Sequence, residues 1–260
     1  MHALFAEWKK FQPEKAPYVL RGDEQILSNP KLFCRFTSWG QFAAAPDFGA
    51  PGQSKLHLDL LPMPFVGNLK SASVFLLMLN PGFGPHDYFG EYNVPEYRTA
   101  LLNNLRQGRD NSFMFLDSRF SWHGGFDYWH TKLQNVIAAF AESTSTSYGR
   151  ARSFFQSHIA ALELVPDHSV NFTVPARLFN SLRSVQLARA FVHDELLPRA
   201  KSRDRLLVVT RAVKHWRLRV SRNIVAYGPT EARSAHLSVK SRGGSAILKF
   251  LCREYAKRAA

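Results

Sequence analysis

The chain has 260 residues, a formal net charge of +14 and 45% hydrophobic residues. This composition is typical of a folded globular domain with a full core, and no stretch reaches the roughly 20 apolar residues that a membrane-spanning helix needs. Cys34 and Cys252 are too few for a disulfide framework or a thiolate metal site. The first residues lack the basic-then-apolar order of a secretory signal. We therefore expect a cytoplasmic protein without membrane attachment.

The positive charge is concentrated at the end of the chain. Residues 201–260 hold 15 Lys and Arg against 3 Asp and Glu, a net charge of +12, whereas residues 1–200 carry only +2. Such a basic region attracts phosphate backbones through release of counterions. An acidic membrane surface would attract it in the same way. We favour a nucleic acid, most simply DNA, bound by a monomer.

The amino-terminal part of the chain is the least regular. Residues 1–55 are predicted to form an irregular extension packed on the core, with a short helix over residues 2–11. Residues 56–260 are predicted to form one domain, which begins with a strand-like alternation at 56–60.

Strands alternate with helices in the rest of the chain. Short apolar runs predict strands at residues 74–79, 159–165, 206–210 and 224–227. Helical periodicity predicts helices at residues 96–106, 127–143, 184–199 and 244–257. This alternation indicates an α/β fold, a three-layer α/β/α sandwich around a central four-stranded parallel sheet.

Polar side chains follow the predicted strands. Asn80 comes after the first strand in Asn-Pro-Gly, Glu163 and His168 lie at the end of the second, and His236 follows the fourth. Because the carboxyl ends of parallel strands share one edge, these residues are expected to line one cleft. No spacing typical of metal ligands, a phosphate-binding loop or a dinucleotide fingerprint is present. We therefore expect no metal and no cofactor, and chemistry that positions water and stabilises an anion.

Two motifs resemble those of the uracil-DNA glycosylase superfamily. LMLNPGFGPHDYFGE, residues 77–91, is similar to its first motif, nearest to the single-strand-selective and mismatch-specific branches with Asn-Pro-Gly. ARSAHLSVKSRGGSAIL, residues 232–248, resembles its second motif. The resemblance implies a uracil-DNA glycosylase-like fold and hydrolysis of the bond between a damaged or deaminated base and its sugar. Since no metal pattern is present and no lysine stands out as a Schiff-base nucleophile, we expect this reaction to be metal-independent and monofunctional.

The resemblance also implies roles for individual residues. Asn80 would hold the attacking water, and His236 would stabilise the departing base. Tyr88 or Phe89 would stack on the base after it is flipped out of the duplex. The loop at residues 238–244 would enter the space that the base leaves. The full set of predicted binding residues comprises Gly82, Phe83, Tyr88, Phe89, Glu163 and Ser238 for the base, and Lys240, Arg242 and Arg211 for DNA.

Departures from the family pattern leave alternatives open. His236-Leu237-Ser238 stands where active members usually read His-Pro-Ser, and Glu163 stands where uracil-reading members usually have Asn. An ionised carboxylate accepts hydrogen bonds but cannot donate one, so it suits an amino group better than uracil O4. Three explanations stay open: the target base is not uracil, Glu163 is protonated, or the pocket has lost its use in reading a base. Glu163 could equally form an ion pair with Arg211. Whether the chain is an enzyme is left open.

Each functional interpretation has a simpler structural one. Asn80 is a common turn residue, Tyr88 and Phe89 could be core aromatics, and His168 is expected to be structural. A non-catalytic nucleic-acid-binding protein with the same fold is the main alternative, and an unrelated small-molecule hydrolase is a weaker one.

Overall fold

The computed structural model describes residues 2–50, 54–108, 111–172 and 174–259. It shows a mixed α/β fold with a five-stranded sheet and a separate two-stranded sheet. Within the described residues, no helix combines the length and apolar character needed to cross a bilayer. The combination of these sheets with helices confirms the predicted α/β class.

The sheets contain seven short strands in the described part of the chain. They are β1 (Phe33–Cys34), β2 (Leu56–His57), β3 (Phe65–Val66), β4 (Val74–Leu77), β5 (Ile159–Leu162), β6 (Leu206–Val209) and β7 (Ile224–Ala226). The larger sheet has the order β3-β5-β4-β6-β7, and β1 pairs with β2. Strand β4 runs parallel to both β5 and β6, and β6 runs parallel to β7. Strand β4 therefore lies at the centre, with its end flanked by the ends of two neighbours.

Twelve α-helices occur in the same described ranges. They are α1 (Ala3–Lys9), α2 (Trp39–Ala43), α3 (Pro85–Asn93), α4 (Pro95–Arg106), α5 (Gly124–Ser143), α6 (Tyr148–His158), α7 (Ala176–Ser181), α8 (Arg183–Phe191), α9 (Leu197–Lys201), α10 (Val213–Trp216), α11 (Pro229–Ser234) and α12 (Arg242–Ala259). Residues Val192–Leu196 form a π-helical turn between α8 and α9.

Residue contacts divide the chain into two compact units. The first unit comprises Met1–Phe65, Leu79–Arg109 and Glu163–Val192, and the second comprises Val66–Met78, Asp110–Leu162 and His193–Ala260. In the first unit, α1 packs against α4 and α8, and α2 packs against α3. In the second, α12 packs against α5, β6 and β7. The predicted domain boundary between residues 1–55 and 56–260 stays a prediction.

The sequence periodicities locate the main elements well. All four predicted strands are present, each one to three residues shorter than predicted. The fully buried β4, β5 and β6 explain their continuous apolar runs, because strands covered on both faces do not alternate. The helix predicted at 184–199 is divided by the π-helical turn, and the sheet contains a fifth strand, β3, beyond the four predicted.

Candidate active site

Asn80 lies in the turn that follows β4, in the first unit. Its Nδ2 donates hydrogen bonds to the backbone oxygen of Ser169 at 3.0 Å and to Ser169 Oγ at 3.1 Å. A backbone carbonyl can only accept, so the amino side of the amide must face Ser169. No hydrogen bond from the described residues engages Asn80 Oδ1, and Asn80 is partly exposed. The carboxamide is thus held in one orientation with its acceptor oxygen directed away from Ser169.

Gly82 and His168 hold the same turn from a second point. Gly82 has φ +78°, in the region that favours glycine. The Nδ1 of His168 lies 3.1 Å from the Gly82 oxygen, so this nitrogen carries the proton and donates it. His168 is buried, and its own backbone oxygen accepts from the His57 backbone N–H at 2.9 Å. These contacts support the expected structural role of His168.

Phe83 stacks on a histidine that the sequence interpretation did not select. The rings of Phe83 and His57 are nearly parallel, with centroids 3.6 Å apart. His57 is buried, and its Nδ1 lies 3.3 Å from both Tyr88 Oη and Cys34 Sγ. Burial, with a smaller contribution from His168, lowers the pKa of His57 to about 3. His57 is therefore neutral at physiological pH and acts as a flat support beneath Phe83.

Tyr88 and Phe89 have different environments. Tyr88 is fully buried, and its ring stacks on Phe42 at 4.5 Å and on Tyr92 at 6.0 Å. In this arrangement a base has no access to Tyr88. Phe89 is 41% exposed and meets Trp39 edge-to-face at 5.6 Å. Of the two residues proposed to stack on a base, only Phe89 presents its ring to solvent.

Asp87 caps the helix that begins after the turn. Its Oδ2 accepts from the Gly84 backbone N–H at 2.7 Å, the half of a capping box that the N3 side chain supplies, at the start of α3. The His86 Nε2 lies 3.7 Å from the same oxygen. Since Asp87 is buried and helix-bound, it fixes where α3 begins relative to the Asn-Pro-Gly turn.

Two carboxyl groups follow β5 in the first unit. Glu163 is buried, and its backbone N–H donates to the Pro64 oxygen at 2.9 Å. Asp167 is also buried, and burial, reinforced by the nearby Asp23, raises its pKa to about 8. Asp167 is thus mostly protonated at pH 7. Glu163 belongs to the first unit and Arg211 to the second, so the ion pair proposed between them stays a prediction.

The second predicted motif lies in the second unit. His236 is exposed, and its backbone oxygen accepts a hydrogen bond from the Tyr227 hydroxyl. Leu237, in the place of the family's Pro, is 1% exposed and belongs to the core. Asn80 and His236 therefore belong to different units.

The loop predicted to enter DNA, residues 238–244, is a compact turn that leads directly into a helix. Ser241 Oγ accepts from the Gly244 backbone N–H at 3.0 Å and donates to the Ser238 oxygen at 2.8 Å. A side chain at Gly244 would collide with the backbone oxygens of Leu237 and Ser238. Ser238 thus contributes its backbone to a compact turn from which α12 begins at Arg242.

The cations of this region differ in their partners. Arg242 donates to both Glu231 carboxylate oxygens, at 2.9 and 2.6 Å, and to the Ala226 backbone oxygen at 2.7 Å. The Arg242 hydrogen bond and the Gly228 backbone N–H lower the pKa of Glu231 to about 2. Lys240 is exposed, with no ion pair to any described residue. Arg242 is thus committed to the protein, whereas Lys240 is available to a ligand.

Lys132, on α5, is a residue that the sequence interpretation missed. Its Nζ donates to the backbone oxygens of Ser234 at 3.0 Å and Ala235 at 2.9 Å, directly before His236. Burial, followed by the nearby positive charge of Arg211, lowers the pKa of Lys132. Lys132 therefore holds the end of α11, directly before the second motif. A lysine on the polar side of an amphipathic helix gives no sequence signal for such a contact.

A cavity of about 1000 Å³ lies elsewhere in the first unit. Its lining includes Lys10, Phe11, Lys15, Arg21 and Arg183, and none of the predicted site residues. Its size alone does not make it the active site, because its lining includes neither Asn80 nor Ser169, which holds the Asn80 amide.

Comparison with known proteins adds no assignment: no family model, no curated protein and no solved structure matches the chain.

Proposed function

We propose that this chain is a DNA-binding protein with a uracil-DNA glycosylase-like fold that hydrolyses the bond between a damaged or deaminated base and its sugar. The observation that carries the proposal is the orientation of Asn80. Its amide is bound through Nδ2 to Ser169, so Oδ1 is presented as an acceptor at the end of the central strand β4. The carboxyl ends of parallel strands are the usual place for ligands in open α/β sheets.

The reaction needs little more than a positioned water and a stabilised leaving group. A water donating to Asn80 Oδ1 would attack the sugar C1′ as the bond to the base nitrogen breaks. The bonding electrons leave with the base, and the water's second proton ultimately neutralises the released base. A neutral amide can orient the water but is a poor base, so a slow hydrolysis is expected. No metal or cofactor is assigned a part in this scheme.

The four parallel strands support the fold part of the proposal. The resemblance implies a four-stranded parallel sheet with one motif after its first strand and the other after its last. Strands β4, β5, β6 and β7 are joined by parallel pairings, and the two motifs follow β4 and β7. The three-layer sandwich and the family assignment are parts of the proposal.

The roles of the other residues follow from their exposure. Phe83, partly exposed and backed by His57, and Phe89 are the aromatic rings proposed to stack on the base. Gly82 lets the backbone approach the base, and Ser238 shapes the turn after His236. Exposed His236 would stabilise the negative charge on the leaving base. Glu163, a buried carboxyl group, would favour a base with an exocyclic amino group when it is ionised, and it could donate to a base oxygen when it is protonated.

A second function is favoured by three particular residues. Leu237 is a core residue in the place of the family's Pro, Glu163 replaces the Asn that reads uracil, and Arg242 is held by Glu231. A non-catalytic nucleic-acid-binding protein would tolerate all three changes.

A base-release assay separates these functions. Single- and double-stranded oligonucleotides that carry uracil, hypoxanthine, xanthine or an alkylated base are incubated with the protein and then treated with alkali. Cleavage at one lesion, absent with Asn80→Ala, supports the glycosylase. Binding without cleavage on every substrate supports the non-catalytic alternative. Absence of DNA binding at moderate salt contradicts both and leaves the small-molecule hydrolase.

A further inference from the structure

Residues 211–222, here called the basic platform, connect β6 to β7 in the second unit. The segment reads RAVKHWRLRVSR and contains five Lys and Arg and no acidic residue. Lys214, Arg217, Arg219 and Arg222 are exposed, and Arg211 is partly exposed. Like charges at this density repel one another and favour the approach of a polyanion.

A buried tryptophan fixes the platform to the sheet. Trp216 is 0% exposed, and its Nε1 donates to the Met78 backbone oxygen at 2.9 Å, directly after β4. His193 Nε2 lies 3.0 Å from the Trp216 backbone oxygen. The cations are therefore displayed from an anchored backbone, which reduces the entropy lost when they bind a ligand.

The five cations have no neutralising partner among the described residues. Over the ranges that the structure describes, none of them forms an ion pair or a side-chain hydrogen bond, whereas Arg199, Arg205 and Arg242 in the same unit each pair with a carboxylate. The unit as a whole holds 21 Lys and Arg against 9 Asp and Glu. A fixed set of unpaired cations on a basic unit is an arrangement suited to an external anion.

The platform is continuous with the second motif. Arg211 lies close enough to Lys132 to lower the pKa of that amine, and Lys132 binds the backbone just before His236. Exposed Lys240 follows four residues later. The positive surface of the second unit therefore includes the platform, Lys132 and Lys240 near His236.

We propose that the basic platform binds the phosphate backbone of a nucleic acid strand. The identity of the polyanion rests on the proposed function. A nucleic acid fits better than a membrane because Trp216, the aromatic residue that would otherwise enter a lipid interface, is turned into the core. Lys and Arg side chains bind phosphates without reading sequence, so this contact would hold the strand independently of any lesion.

The test is the salt dependence of binding to an undamaged oligonucleotide. The platform variant carries Lys214→Gln, Arg217→Gln and Arg219→Gln. The control variant carries Lys70→Gln, Lys201→Gln and Arg203→Gln, which removes the same charge from exposed residues near the amino ends of β4 and β6. Arg203 and Arg217 both have positive φ, 67° and 55°, so each variant changes one residue in this backbone conformation.

The platform variant is expected to bind about ten- to a hundredfold more weakly, and its plot of log affinity against log salt should be shallower by about 2, since each lost phosphate contact removes about 0.7–0.9 from the slope. The control should stay within about twofold of the original protein. Equal losses in both variants, or none in either, would overturn the proposal. So would binding to anionic phosphatidylserine vesicles without binding to oligonucleotides.

The outcomes for the platform and for catalysis are separable. Platform-dependent binding with no base released from any lesion would support the platform and contradict the glycosylase. Base release with the same affinity in wild type and platform variant would support the glycosylase and contradict the platform.

Discussion

The Asn80 carboxamide donates two hydrogen bonds to Ser169, a residue 89 positions later in the chain. The backbone supports the same connection, since the Val165 N–H donates to the Leu79 oxygen at 2.8 Å. The turn after β4 and the loop after β5 thus hold one another. Together these contacts give the Asn-Pro-Gly turn a fixed amide orientation, which an isolated turn would lack.

Ser169→Ala should reduce base release by about three- to tenfold. The substitution removes the bond to Oγ and keeps the bond to the backbone oxygen, and one hydrogen bond contributes about 0.5–1.5 kcal/mol. Single-turnover rates, with urea unfolding as a measure of stability, would show this.

Ser73→Ala is the matched control for that substitution. Ser73 is also buried, but its Oγ makes no hydrogen bond to the described residues. Base release should be unchanged and stability unchanged or slightly higher. Equal rates for Ser169→Ala and the original protein would show that the Oγ bond does not orient Asn80.

His57 should make stability fall as the solution is acidified. Burial lowers its pKa to about 3 in the folded protein, whereas the unfolded chain takes up the proton near pH 6.5. The folded state therefore loses about 1.4 kcal/mol of stability per pH unit from pH 6.5 down toward 3. In His57→Phe, which keeps a ring beneath Phe83, this dependence should disappear. Urea unfolding at pH 7 and 5 measures it, and parallel changes in both proteins would contradict the prediction.

Asp167 should act in the opposite direction. Burial and Asp23 raise its folded pKa to about 8, so the folded protein keeps a proton that the unfolded chain loses near pH 4. The stability that the protonated Asp167 carboxyl contributes is fully present at low pH and is lost as the pH rises from about 4 to 8. Asp167→Asn should therefore gain stability relative to the original protein between pH 5 and 8.

Asp23→Asn provides the contrast for Asp167. Asp23 accepts backbone hydrogen bonds from Arg183 and Ser184 at the start of α8, and its charge raises the pKa of Asp167. Its substitution should therefore destabilise the start of α8 and weaken the pH dependence that Asp167 causes. A constant stability difference for Asp167→Asn across these pH values would show that Asp167 is ionised in the folded protein.

Substitution of Lys240 should weaken DNA binding more than substitution of Arg242. Lys240→Ala removes an exposed cation and should weaken binding severalfold at low salt. Arg242→Ala breaks a largely exposed ion pair with Glu231, which is expected to contribute less than about 1 kcal/mol of stability, and should change binding less. A larger binding loss for Arg242→Ala would contradict this difference and support the sequence-based expectation that Arg242 contacts DNA.

The arrangement of strands and helices could be predicted because its signals are local. Continuous apolar runs mark β4, β5 and β6, and the 3.6-residue pattern marks α5 and α12. The two-residue strands β1 and β3 are too short to show a period. The π-helical turn after α8 is invisible in an otherwise regular helical pattern.

The contacts of the site could not be predicted because they depend on pairings between distant segments. Ser169 follows a strand that lies beside β4 only in the folded sheet, and His57 meets Phe83 across a separation of 26 positions. The sequence also could not tell that Tyr88 points into the core while its neighbour Phe89 is exposed, since both are aromatic. The packing of α3 against α2 decides which of the two rings is buried.

The most direct test of the account is the single-turnover rate of base release by the original protein and by Asn80→Ala, on the lesion that the original protein cleaves best. We expect the substitution to lower the rate by about a hundredfold or more, the range typical of losing a group that positions a reacting water, while the affinity for the same oligonucleotide changes less than about twofold. Release at an undiminished rate, or loss of binding together with release, would contradict the role of Asn80. Absence of release by the original protein from every lesion would contradict the glycosylase itself.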